Sequence, residues 1–409
     1  MADAPADHLA DTPDDTPADL SADAPADPAA GGGVSRRAAL LLAAGALAQL
    51  SLPRVLPPRA PAAPQVLGAA PLAALLAAHA RALRTGRLAA LDLAQLDYRA
   101  TSWDATAVSA ELSYRLAGFD DYPVVLGRRF TLAGGALGEE SAAPGSAAAP
   151  WDLGDPMPVR GARCVVLGPA APAELTGLAA VADRAVPAVS AVWGTAWAGR
   201  LVLQLPTSEV QFTRLLGVDP SSYADIAAVT SAAAGAPVHT PADRVLVNPD
   251  AFRLLSAFGK QVVITHESTH VATRADTHPW TPLWLSEGVA DYTGYLGTGR
   301  TARQIAPELT SDVAAGKLPT ALPTDADFSA GSTGIAQAYE LSWLACGLIA
   351  AEHGQQALVD VYRAVGAAGP GAGRAQQLDR VLGDRLGYGL AEFTRRWIAA
   401  VLREVGPAG

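Results

Sequence analysis

His266 and His270 stand four residues apart in Val-Ile-Thr-His-Glu-Ser-Thr-His-Val-Ala-Thr, residues 263–273, with Glu267 directly after the first. In an α-helix, residues i and i+4 lie on one face about one turn apart. Both imidazoles can then turn a nitrogen toward one cation, and Glu267 projects beside it, where a carboxylate can hold a water. The spacing predicts a helix over about 259–273. The alternative is two histidines packed or capped in an ordinary helix.

A second stretch, Pro-Leu-Trp-Leu-Ser-Glu-Gly-Val-Ala-Asp-Tyr-Thr-Gly-Tyr (282–295), begins twelve residues after His270. Pro282 suits a helix start, where its missing N–H is not needed. Glu287 lies seventeen residues after His270, and a hairpin of two helices brings it to the face that carries the histidines. A catalytic metal site takes three protein ligands and leaves one position open. Asp291, four residues after Glu287, shares its face and can accept a hydrogen bond from the second nitrogen of a ligand histidine, which fixes the tautomer. The competing readings are a solvated helix residue for Glu287 and a surface carboxylate for Asp291.

Taken together, Thr-His-Glu-Ser-Thr-His and Trp-Leu-Ser-Glu-Gly-Val-Ala-Asp-Tyr resemble the gluzincin group of zinc metallopeptidases, the thermolysin-like, peptidase MA-like fold. In that group His-Glu-x-x-His is followed by Trp-x-x-Glu-Gly-x-Ala. The resemblance spans about 200–402 and is specific over 262–296. It implies that His266, His270 and Glu287 hold one Zn2+ per chain, that Glu267 is the general base, and that Asp291 stands behind a ligand histidine. Gly288 and Ala290 would be the small residues that let the two metal helices pack closely. The group also places a tyrosine or histidine on a helix after the third ligand as an oxyanion donor, and Tyr339 is the candidate. A core tyrosine is the competing reading, and His278, in the loop between the metal helices, is a second candidate donor. The Gly-x-Met-Glu-Asn loop of the aminopeptidase branch is missing, because the only methionines are Met1 and Met157. An endopeptidase acting on a protein or peptide substrate is therefore favoured. The second reading is a catalytically silent zinc-binding module acting in envelope binding or regulation, and a third is a zinc enzyme acting on a non-peptide bond.

Along the chain, residues 1–33 hold eight aspartates and no lysine or arginine, which leaves −2 of the net −10 for everything else. That Ala/Asp/Pro tail buries too little to order itself. The remainder is near neutral, so no basic field invites nucleic acid. Residues 34–64 carry Ser35-Arg36-Arg37, an apolar run over 38–52 and a Pro-rich linker. This resembles a twin-arginine export signal, and the run is short for a bilayer, which needs about 20 residues. A cleaved signal, a signal anchor giving membrane association through 38–52, and a buried helix are the readings. Both export readings place the bulk of the chain outside the cytoplasmic membrane.

The globular part is predicted to be α+β. Residues 68–165 read as a small domain, a helical stretch from Ala70 to Leu91 and then an antiparallel sheet, similar to the cone-shaped, NTF2-like domains found before such peptidases. Residues 138–150 read as a loop. Residues 166–404 read as a zincin-type metallopeptidase domain, with a mixed sheet, the His-Glu-x-x-His helix and a helical C-terminal subdomain. Cys164 and Cys346 form no Cys-x-x-Cys motif and leave two readings, a disulfide or two buried thiols.

Overall fold

A computed structural model describes residues 67–218, 226–231, 239–329, 331–369 and 373–406. The acidic tail and the export-like segment, 1–33 and 34–64, lie outside the described residues. Within them the chain is α+β, as its patterning predicts, with two separate sheets.

Helix α1 (Ala69–Thr85) stops at Gly86, before the Leu91 that helical spacing suggests. Four strands follow in an antiparallel meander: β1 (Leu93–Trp103), β2 (Ala107–Leu116), β3 (Val124–Ala133) and β4 (Ala136–Ala142). Strand β2 buries alternate residues, Val108, Ala110, Leu112, Tyr114 and Leu116, because a pleated strand turns every second side chain to one face. Leu72 and Leu76, one helical turn apart on α1, pack with Val108, Ala110, Phe130 and Leu132.

The loop expected over 138–150 is strand as far as Ala142. Ala133 pairs with Ala136, and the intervening Gly134 and Gly135 have φ of 58° and 79°. Two left-handed residues in succession make a two-residue hairpin whose twist matches the strands, and glycine enters it without strain. The turn, more than the side chains of β4, fixes the pairing.

The second sheet is mixed, in the order β5-β6-β7-β9-β8. Its strands are β5 (Met157–Arg160), β6 (Cys164–Gly168), β7 (Leu201–Gln204), β8 (Ala228–Thr230) and β9 (Arg244–Val247). β6, β7 and β9 run parallel, while β5 and β8 pair antiparallel at the two edges. A division at residue 165 would cut β6, so this sheet starts at Met157. Helix α2 (Pro172–Trp193) links β6 to β7. By length and composition α2 could cross a membrane, yet it buries Leu175, Leu178, Ala182, Val186 and Val189 in one cluster with Val166, Leu203 and Val245.

The remaining helices are α3 (Glu209–Leu216), α4 (Pro249–Arg253), α5 (Ala257–Thr273), α6 (Leu283–Tyr295), α7 (Ala302–Ile305) and α8 (Pro307–Ala314). They continue with α9 (Ile335–His353), α10 (Gln355–Ala367), α11 (Arg374–Leu386) and α12 (Leu390–Val405). The motif helix is α5, and α6 lies between α5 and α9. Each contact depends on a glycine. A Cβ at Gly294 would lie 3.2 Å from the Val262 carbonyl of α5. At Gly288 it would lie 2.5 Å from the Ser342 carbonyl and 2.7 Å from Cys346 Sγ, both on α9. Gly288 thus serves the contact with α9, not the expected contact between the two metal helices. Cys346, at that contact, and Cys164, in β6, are both buried free thiols.

Gly288→Ala should lower the stability to urea by about 1–3 kcal/mol, because the new methyl meets backbone that cannot yield. Gly347→Ala, in the same region of α9 but with open space around its Cβ, should raise it by roughly 0.5–1 kcal/mol through helix propensity. Equal midpoints for the two variants would refute the close approach of α6 to α9.

Candidate metal centre

Helix α5 opens on Ser256, whose hydroxyl accepts from the Gly259 N–H at 3.1 Å. From Val262 to Thr269 every residue is buried, so the helix is enclosed on all sides. Its polar side chains are satisfied within the helix. Thr265 donates to the Gln261 carbonyl (2.8 Å), Ser268 to that of Ile264 (2.6 Å) and Thr269 to that of Thr265 (2.9 Å). The side chains of His266, Glu267 and His270 are not folded back onto the helix backbone in this way.

Helix α6 starts after Pro282, as its position predicts, and the Leu283 N–H is capped by Asp325 at 3.0 Å. Glu287 and Asp291, 2% and 1% exposed, point to the histidines. His266 Nε2, His270 Nε2 and Glu287 Oε2 form a triangle with edges of 3.1, 3.2 and 3.4 Å. Donor atoms bonded at 2.0–2.1 Å to one tetrahedral ion lie about 3.3 Å apart, so the triangle has the size of three ligands around a shared centre. Glu287 Oε2 makes no hydrogen bond among the described residues despite its two close nitrogens. An oxygen so placed fits an ion better than it fits either imidazole. His266, His270 and Glu287 are thus a buried group that can hold a metal ion.

Asp291 Oδ1 lies 2.8 Å from His266 Nδ1. The carboxylate only accepts, so Nδ1 carries the proton and Nε2 offers its lone pair to the centre. The electrostatics also call for a cation. Burial opposes charge on His266, yet the Asp291 and Glu287 carboxylates outweigh it and hold the imidazole well above its ordinary pKa. Burial opposes the Glu287 anion too, and the two histidines still bring its pKa down to about 2. Buried carboxylates facing one pair of imidazoles draw in positive charge, as a proton or as an ion.

Glu267 follows His266 on the same helix and is fully buried. Burial raises its carboxyl above the usual range. One oxygen, Oε2, accepts from Thr230 Oγ1 at 2.7 Å, while Oε1 is buried with no partner among the described residues. Thr230 lies on the edge strand β8, and nothing in its sequence context singles it out.

Tyr339, on α9, is fully buried, its ring centroid 6.3 Å from that of His266. Its hydroxyl has no partner among the described residues. Burial, then the nearby Glu287, Asp291 and Glu267, keep it protonated far above the ordinary tyrosine range. His278 is not in the metal group. It stacks on Trp280 at 4.6 Å, and Trp280 Nε1 donates to the Gly366 carbonyl at 2.9 Å. Comparison of the sequence with family models and with curated proteins found no match.

His270→Ala should abolish binding of one metal ion per chain, measured by metal analysis after dialysis. A chelator should then lower the thermal midpoint of the parent chain but leave that of the variant unchanged, because only the parent has ligand binding to lose. A variant that keeps a full equivalent of metal would remove His270 from the centre.

Proposed function

We propose that the chain is a zinc-dependent endopeptidase of the gluzincin, zincin-type kind, acting on protein or peptide substrates. The observation that carries this reading is the triangle of two imidazole nitrogens and one carboxylate oxygen, with the unpartnered Oε1 of Glu267 on the same helix turn. Two histidines and a carboxylate suit zinc and leave it an open position. Bound there, zinc would polarise a scissile carbonyl and lower the pKa of water toward about 7.

The chain's own residues supply the rest. Asp291 fixes the His266 tautomer. Thr230 holds Oε2 of Glu267, which leaves Oε1 to take a proton from the attacking water and return it to the leaving amine. The raised carboxyl of Glu267 suits that return. The Tyr339 hydroxyl is a protonated donor, suited to the oxyanion as charge develops there. The twin-arginine-like segment over 34–64 supports export, secreted or membrane-anchored, on sequence alone. A second reading, a silent zinc-binding module, draws on the burial of the centre, where His266 and Glu267 are fully covered. The unpartnered Oε1 argues for the enzyme, since a retired base has no need of a free oxygen.

Glu267→Gln should keep one zinc per chain and cut cleavage of a peptide library, read by mass spectrometry, by about 10²–10⁴-fold. Internal cleavage at the parental rate would end its assignment as the base, and zinc without cleavage in both proteins would favour the silent module. Tyr339→Phe should lower kcat by about 10²-fold with little change in KM. Unchanged kcat would return Tyr339 to the core.

A further inference from the structure

Asp120 follows β2 in the four-stranded sheet, and its carboxylate is buried against Arg244, the first residue of β9 in the other sheet. Arg244 Nη1 donates to Asp120 Oδ1 at 2.6 Å and Nη2 to Oδ2 at 2.7 Å. The Asp120 side chain is 0% exposed and that of Arg244 is 7%. The Leu116 N–H donates to Oδ2 at 2.8 Å and the Ala242 N–H to Oδ1 at 3.1 Å, so the carboxylate is held from both modules.

From Arg244 the contacts run straight to the centre. The Arg244 N–H donates to Ser231 Oγ at 3.0 Å, and the Ser231 N–H donates to the Arg244 carbonyl at 2.8 Å. Ser231 is next to Thr230, whose hydroxyl holds Glu267 Oε2. The same segment is tied to the far end of the motif helix. Asp243 Oδ1 pairs with Arg274 Nη1 at 2.7 Å, and Arg274 also donates to the Pro241 carbonyl at 3.3 Å and to Thr240 Oγ1. Tyr122, two residues after Asp120, meets the His239 ring edge-on at 4.8 Å.

We propose that Asp120 is a positioning residue for Glu267: through Arg244, Ser231 and Thr230, the four-stranded module sets the orientation of the base, and is not merely a spacer between the export segment and the centre. The inference rests on the reading of Glu267 as general base. A two-point grip on a guanidinium fixes direction as well as distance, and base geometry misplaced by about 1 Å can cost on the order of 10²-fold in rate.

The test uses the full chain and the double variant Asp120→Asn, Arg244→Gln, which removes both buried charges together and keeps hydrogen-bonding side chains. Zinc content should stay at one per chain. Peptide cleavage should fall about tenfold or more in kcat, with KM within about twofold of the parent. Hydrogen exchange should quicken in peptides covering 226–231 and 244–248, because the Ser231 amide is protected by that pairing. Parental kcat together with parental exchange would overturn the proposal. If the double variant does not fold, the far end of the chain of contacts decides. Thr230→Val should lose kcat as above and Thr230→Ser should restore it, while full activity of Thr230→Val would overturn the proposal. If the parent binds zinc but cleaves nothing, the endopeptidase reading fails on its own, and exchange alone then decides whether Asp120 holds β8 and β9.

Discussion

Burying ionisable groups together is the constraint that the structure around the candidate metal centre answers. Glu267, Glu287, Asp291 and His266 are covered to within 2% of full burial. An ion removed from water carries a penalty of several kcal/mol even after relaxation, so each group needs a partner placed well. The Asp291–His266 hydrogen bond supplies one such partner and aims the second ring nitrogen at the centre. Enclosure supplies the low dielectric, with α5 wrapped by α2, α6 and the edge strand β8. Enclosure in turn demands close backbones, met by Gly294 against α5 and Gly288 against α9. The hydroxyls of Thr265, Ser268 and Thr269 are folded back onto their own helix, while Glu267 Oε1 and the Tyr339 hydroxyl are buried without a hydrogen-bond partner among the described residues.

Periodicity and spacing made the local elements legible. The four-residue interval between the histidines, and the same interval between Glu287 and Asp291, place four side chains on two facing helices, and the structure brings them together. The alternation of β2 and the apolar runs of β6, β7 and β9 were equally readable, since one strand is half-buried and the others are covered on both faces. The misses have a different physical origin. Strand β4 was hidden because its pairing comes from the Gly134–Gly135 turn and not from its own side chains. Gly288 could be read as a close-packing residue, but which helix it faces is a tertiary fact. Thr230 and Glu267 are 37 residues apart and Asp120 and Arg244 are 124 apart, and no interval in a single sequence marks such pairs. Where the second sheet begins is hidden for the same reason, because β5 and β6 follow the first sheet in sequence yet hydrogen-bond into the second.

The buried Asp120–Arg244 pair is hard to account for as a stabilising device. Well-packed apolar residues in place of a buried ion pair are often neutral or better by about 1–4 kcal/mol. An apolar contact at that point would still join the two sheets, but it would not fix their register, since dispersion is nearly indifferent to small rotations. A guanidinium gripped at two oxygens is not indifferent. The pair sits where register matters, at the start of β9, beside the Ser231 bridge and one residue from the strand end that touches Glu267. Arg274, closing α5, grips the neighbouring Asp243. Two consecutive residues at the start of β9 are thereby referred to charged anchors, one on the four-stranded module and one at the end of the motif helix. On the proposed reading of Glu267 as the base, a carboxylate that must present one particular oxygen gains from that arrangement what added apolar area could not give it: a direction.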